Sequence, residues 1–205
     1  MTGRTDPESQ PGAPQYVAVP AGKIASVVTY LDMRAAPPPR PSLRTDLEIR
    51  GVEKPALDWY RDLYRAVGSD WLWFSHLQMN DAALSAILSD PAVDILALRQ
   101  GGRDIGFAEL DRRRFPDVEL VYFGLLGKAI GRGAGRFLMN AVLETAWAHQ
   151  PARLWVRTCT LDHPAALGFY RCSGFTPYKR EIEIADDPRR TGVFALETAP
   201  GIPAL

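Results

Sequence analysis

The sequence predicts a single mixed α/β (α+β) domain. Three observations carry the prediction. Several stretches alternate apolar and polar residues with the period of a strand, and others repeat apolar residues with the period of a helix. These stretches interleave in the order strand, two helices, three strands, helix, strand, helix, strand, an order typical of mixed α/β domains. The chain has 205 residues, enough for one medium domain with a core that needs no staples. Residues 1–15 are polar and rich in proline and glycine and read as a flexible leader, leaving 16–205 as the domain.

The elements follow in order. Val27, Thr29, Leu31 and Met33 alternate in KIASVVTYLDM and predict a first strand. APPPRPS then blocks regular structure, because proline lacks an amide proton and restricts the residue before it. In PALDWYRDLYRAVG, Tyr60, Leu63, Tyr64 and Val67 share one helical face, with Gly68 as the stop. After the aromatic run SDWLWFSH, a second helix starts near Asn80 or Asp81, with Leu84, Ile87 and Leu88 as its apolar face. AVDILALR and DIGFAEL flank Gly101 and Gly102, a hairpin signal. VELVYFGLL is almost continuously apolar and predicts a central strand. A helix to about His149 buries Leu138, Val142 and Ala146, with Met139 and Leu143 beside them. RLWVRTCT is a strand, HPAALGFYRCSG a short helix capped by Asp162 or His163 and stopped by Gly174, and FTPYKREIEI a strand with one wet face. GVFALET, at 192–197 and the residue beyond, is expected as an edge strand that pairs between subunits of a homodimer.

Composition excludes several classes. Basic and acidic residues number 24 each, so net charge steers the chain toward neither nucleic acid nor an anionic membrane. Cys159 and Cys172 form no CxxC pair and the three histidines do not cluster with them, which argues against a metal site or a disulfide framework. No apolar run reaches bilayer length and the N-terminus lacks a signal-peptide core. The expected compartment is the cytoplasm.

The sequence feature that most needs a ligand is Ile130-Gly131-Arg132-Gly133-Ala134-Gly135-Arg136, which joins the apolar strand to a helix. Glycine permits positive φ and removes the Cβ, so backbone amides can turn inward. Amides at a helix N-terminus bind anions, here a phosphate or pyrophosphate, with Lys128, Arg132 and Arg136 adding positive charge. A P-loop would need Lys-Ser/Thr after the last glycine, where Arg136 and Phe137 stand. A dinucleotide fold would carry the glycines after its first strand. Neither fits.

The context resembles the GNAT superfamily of acyl-coenzyme A-dependent N-acyltransferases. Their Gln/Arg-x-x-Gly-x-Gly/Ala motif lies between the fourth strand and the third helix, and Ile130 to Gly135 matches it except at Ile130. A second motif, Asn-x-x-Ala-x-x-x-Tyr-x-x-x-Gly-Phe, matches at Ala166, Tyr170, Gly174 and Phe175, with His163 in place of Asn. The resemblance covers roughly residues 23 to 184. It implies a mixed, mostly antiparallel sheet whose fourth and fifth strands splay apart. Acetyl-CoA would lie in that gap, with Leu125 and Leu126 offering backbone groups to the pantetheine arm and Gly131 to Arg136 holding the diphosphate.

Acyl transfer from a thioester to an amine needs a neutral amine, donors for the oxyanion and a proton for the thiolate. The resemblance assigns Tyr170 as the acid, with His163 either touching the cofactor or capping its helix. Glu119 is the candidate base, with Glu109 on the preceding strand as its neighbour or substitute. The oxyanion donor is a backbone amide near Leu125. Trp71, Trp73 and Phe74 would wall the acceptor site and suit an apolar or aromatic amine, or a peptide terminus. The implied activity is N-acetylation of a small-molecule or peptide primary amine by direct attack in a ternary complex. The alternatives are a non-catalytic acyl-CoA sensor of the same fold and a different phosphate-ligand protein sharing only the glycine turn.

Overall fold

The computed structural model describes residues 14–38 and 40–203. Most of the expected leader, residues 1–13, lies outside the described residues. Seven strands form one sheet in the order β2-β3-β4-β5-β6-β1-β7. They are β1 (Lys23–Met33), β2 (Leu47–Gly51), β3 (Val93–Gln100), β4 (Arg103–Asp111), β5 (Asp117–Leu125), β6 (Arg153–Cys159) and β7 (Thr176–Asp186). Every neighbouring pair is antiparallel except β5 and β6.

Helices cover both faces. α1 (Leu57–Gly68), α2 (Ser75–Gln78) and α3 (Asp81–Leu88) lie on one side, and α4 (Ala134–Ala148) and α5 (Ala166–Cys172) on the other. The expected face of α1, Tyr60, Leu63, Tyr64 and Val67, is buried, as the 3.6-residue period requires. Leu138, Met139, Val142 and Ala146 of α4 are buried against Leu31, Leu120, Leu154 and Val156 of the sheet. α3 begins where the sequence places it, because the Asn80 side chain accepts the Ala83 amide at 2.9 Å. We expect Asn80→Ala to lower the unfolding free energy by about 1 kcal/mol, read as a shift in the urea midpoint. The β3–β4 hairpin closes through Gly101 and Gly102, both at positive φ.

Two strand assignments differ from the sequence reading. β2 was missed: LEIRG is short, lies at the sheet edge against β3, and only Leu47 within it is fully buried. Residues 192–197 form turns rather than an edge strand. Arg189, itself buried in an ion pair with Asp187, donates to the carbonyls of Thr198, Ala199 and Ile202. The amides of Val193 and Phe194 turn back to Pro188. These bonds leave the segment no ladder to join, and the sheet ends instead at β7.

The first strand also takes an unexpected seat. β1 lies between β6 and β7, pairing Val28–Met33 with Leu154–Cys159 on one side and Lys23–Asp32 with Thr176–Asp186 on the other. It runs along the edge of β6 opposite β5, both where β6 is paired with β5 and beyond the point where the two part.

Candidate active site

The site is built by one irregularity. β5 and β6 pair in parallel only over Asp117–Leu120 and Arg153–Val156. On the other edge of β5, the register slips between Glu109/Leu110 so that Val121 has no partner. Such a bulge bends the strand and strengthens its twist. Beyond it β5 stays with β4 while β6 follows β1, and a gap opens. The splay implied between strands four and five is therefore present, as β5 and β6 in chain order.

A cavity of about 650 Å³ occupies the gap, within the usual range for small-molecule sites. The Leu126 amide donates to Ile105 of β4 at 2.8 Å. Because antiparallel partners alternate between bonded and non-bonded pairs, the backbone groups of Leu125 and Phe123 point away from β4 and into the gap. Both residues line the cavity. Leu126 does not act as expected: its amide serves Ile105, its carbonyl accepts from Ala129, and its side chain packs under α1. Phe123 is the residue that sequence reading missed, and strand alternation from Leu125 points to it.

The glycine loop forms one end of the cavity. Gly131 and Gly133 adopt φ of 77° and 81°, the left-handed region that a Cβ disfavours. Ile130 N–H bonds Gly127 and Phe137 N–H bonds Gly133. The six amides between them, Gly131 to Arg136, have no hydrogen-bond partner among the described residues. Ile130, Gly131, Gly133, Gly135 and Arg136 line the cavity. Arg132 and Ala134 alternate away from it: the Arg132 carbonyl accepts from Arg44, and the Ala134 side chain is buried in the core. Consecutive free amides of this kind form an anion-binding nest reinforced by the α4 dipole. A diphosphate fits this cradle, with Arg136 beside it.

Tyr170 lies on α5, 6% exposed, against Phe123, Phe169 and Phe175, and lines the cavity. Burial, then the Asp162 carboxylate, push its pKa well above the ordinary phenol value. His163 Nδ1 accepts the Ala165 amide at 3.0 Å, a local bond ahead of α5, and its ring meets Trp71 edge-on. Asp162 does not cap the helix. Its carboxylate accepts from Thr158 Oγ1, the Cys159 amide and Trp73 Nε1, tying the β6–α5 turn to the aromatic loop.

Trp71, Trp73 and Phe74 all line the cavity. Trp73 is drawn close because Gly124 has no Cβ; one there would meet Val67 and lie 3.0 Å from the Trp73 ring. The Tyr64 hydroxyl is buried without a hydrogen-bond partner among the described residues, and Tyr64 lines the same wall.

Neither carboxylate expected near the reaction lines the cavity. Glu119 sits on the paired stretch of β5, opposite Trp155 and Asp111. Its pKa is raised by burial and lowered in part by Arg157, a residue that does line the cavity. Glu109 lies deeper, 2% exposed. Tyr60 donates to it at 2.5 Å, and His76 Nδ1 lies 2.7 Å from the same Tyr60 oxygen. When the Glu109 carboxyl is ionised and accepts from Tyr60, His76 Nδ1 is the donor to the Tyr60 oxygen. Burial pushes Glu109 up to about 7 and His76 down to about 4. This Tyr60–Glu109–His76 group has no sequence signature, because its members lie on α1, β4 and α2.

A splayed mixed sheet with a nest of free amides at the start of the helix after its central strand is the arrangement that the resemblance to N-acyltransferases implied. The acetyltransferase (GNAT) family matches residues 55–175, and the chain belongs to it. An uncharacterized N-acetyltransferase of Mycobacterium tuberculosis (strain ATCC 25618 / H37Rv) is 35% identical over 102 residues, spanning 50% of this chain and 65% of that relative. An aminoglycoside acetyltransferase from an uncultured soil metagenomic sample superposes with TM-score 0.53 at 14% identity, covering 63% of this chain and 88% of the other. An IAA acetyltransferase from Bacillus cereus ATCC 14579 gives TM-score 0.51 at 20% identity, covering 65% and 79%. No helix among the described residues is long and apolar enough to cross a membrane.

Proposed function

We propose that the protein is a cytoplasmic N-acetyltransferase that moves an acetyl group from acetyl-CoA to a primary amine. The observation that carries this reading is the run of amides from Gly131 to Arg136 without partners among the described residues, of which Gly131, Gly133, Gly135 and Arg136 line the gap between β5 and β6. Acetyl-CoA supplies the activated thioester. Gly131 to Arg136 hold its diphosphate, and the backbone of Phe123 and Leu125 hydrogen-bonds its pantetheine arm in the manner of an added strand. In this reading the Leu125 amide donates to the thioester oxygen and Tyr170 donates a proton to the departing sulfur.

The acceptor enters from the side of Trp71, Trp73 and Phe74. An amine with an apolar or aromatic body suits this wall, and a polar group on that body satisfies the Tyr64 hydroxyl. Aminoglycosides, the class named for one structural neighbour, are strongly polar and fit it less well, as small molecules, than aromatic amines or peptide termini. Glu119 accepts the amine proton through water past Arg157. We expect Glu119→Gln to lower kcat/KM about tenfold and to abolish the rise with pH that follows Glu119 ionisation. An unchanged pH profile removes Glu119 from the mechanism.

Titration calorimetry with CoA, followed by thiol release from acetyl-CoA across amino acids, arylalkylamines, polyamines and peptides, tests the whole reading. Absence of CoA binding overturns it. Binding without turnover on any amine supports the sensor alternative.

A further inference from the structure

We propose that Arg44, Asp46 and Gln100 form a clamp that sets the orientation of the diphosphate loop from behind. The proposal rests on the CoA-binding reading of that loop. Arg44 lies between β1 and β2, in a segment to which neither motif assigns a role. Its Nη1 donates to the Arg132 carbonyl. Its Nε and Nη2 grip the two oxygens of Asp46, each at 2.7 Å. Gln100 Nε2, at the end of β3, donates to Asp46 Oδ2 at 2.6 Å. The guanidinium is thereby fixed on both edges, and Arg44 Cγ lies 3.7 Å from where a Gly133 Cβ would stand.

The consequence follows from peptide planarity. The Arg132 carbonyl and the Gly133 amide belong to one planar trans unit and point in opposite directions. Holding the carbonyl toward Arg44 turns the Gly133 N–H away from Arg44 and toward the cavity, which Gly133 lines and Arg44 does not. With glycine at 131 and 133 the loop has many accessible conformations. A loop that lacks the clamp samples flipped peptides and binds the diphosphate less often, since apparent affinity scales with the competent fraction. Arg44 is thus a positioning residue, and Asp46 acts through it.

The sign of one substitution separates positioning from direct phosphate contact. Asp46→Asn removes a negative charge close to an anion site. If Arg44 touches phosphate, that change strengthens CoA binding. If Arg44 positions the loop, it loosens the guanidinium and weakens binding. In calorimetry with CoA we expect Kd to rise about tenfold for Arg44→Lys, whose ammonium cannot hold Asp46 in a bidentate grip and Arg132 together. We expect a rise of about threefold for Asp46→Asn. The dependence of Kd on salt should keep its wild-type slope in Arg44→Lys, which conserves the charge and loses no phosphate contact. Tighter binding by Asp46→Asn, an unchanged Kd in both variants, or a flatter salt slope in Arg44→Lys overturns the clamp. So does a melting temperature of the free protein that falls in step with affinity, which would mark a general structural role. A wild-type protein that fails to bind CoA refutes the functional reading itself, a separate result.

Discussion

Replacing Tyr170 by phenylalanine is expected to lower kcat about 100-fold while the affinity for CoA stays within a few-fold of wild type. The ring is what the fold needs. It meets Phe123, Phe169 and Phe175 edge-on, and phenylalanine keeps these contacts. The hydroxyl is what the proposed mechanism needs. A thiolate of ordinary pKa near 8.5 leaves more readily when a positioned acid protonates it, a contribution of about 10²- to 10⁴-fold. Burial and the nearby Asp162 carboxylate hold the phenol pKa high, so Tyr170 stays protonated throughout the working range. The pH profile of kcat therefore carries no descending limb from this group. Steady-state kinetics of Tyr170→Phe between pH 6 and 10 checks both points. Activity within threefold of wild type would show that sulfur departs unassisted.

Glu109→Gln is expected to stabilise the protein by about 2 kcal/mol at pH 8 and to have little effect at pH 5. The Glu109 carboxyl titrates from 4.5 in its ordinary state and from about 7 when folded, raised first by burial and then partly lowered by the Tyr60 hydrogen bond. The folded state binds this proton more tightly than the unfolded chain. Stability therefore falls as pH climbs from about 4.5 to about 7 and stays low above that window. A shift of this size corresponds to about 3 kcal/mol. Glutamine keeps an oxygen for Tyr60 and never ionises, so the slope disappears. His76 works in the other direction. Its folded pKa, about 4 against an ordinary 6.5, makes stability fall as pH drops through that window. Urea unfolding of wild type and variant at pH 5 and pH 8 measures the difference. Parallel pH dependences in the two proteins would mean that Glu109 is already ionised, and paired, near pH 5.

Much of this was legible in the sequence, and the reasons are physical. Periodic burial identified α1, α3 and α4, whose inward faces Tyr64, Leu84 and Leu138 are fully buried. Local φ requirements identified the Gly101–Gly102 hairpin and the Gly131–Gly133 turn. What escaped depends on partners far along the chain. The bulge at Val121 is a fact about pairing with β4, so the sequence of β5 alone does not show it. The Tyr60–Glu109–His76 group and the Arg44–Asp46–Gln100 group each draw on separate elements. Leu126 was misassigned because which backbone groups face the gap is set by register, and register is invisible until Gly106 is seen opposite Leu125. The C-terminal segment was misread as a strand because its buried anchor, Arg189, bonds carbonyls rather than neighbours in a pattern.

The seat of β1 has a consequence for how the molecule is made. Val28 meets Cys159 and Val27 meets Ile182, so β1 leaves the ribosome well before the strands it pairs with and waits for them to be synthesised. Contacts between such distant stretches form slowly, and an unpaired apolar strand is prone to aggregate in the interval. A nascent chain halted before Cys159 would present Leu31 and Met33 to whatever holdase is at hand, and deleting Lys23–Met33 would remove an interior stave of the sheet.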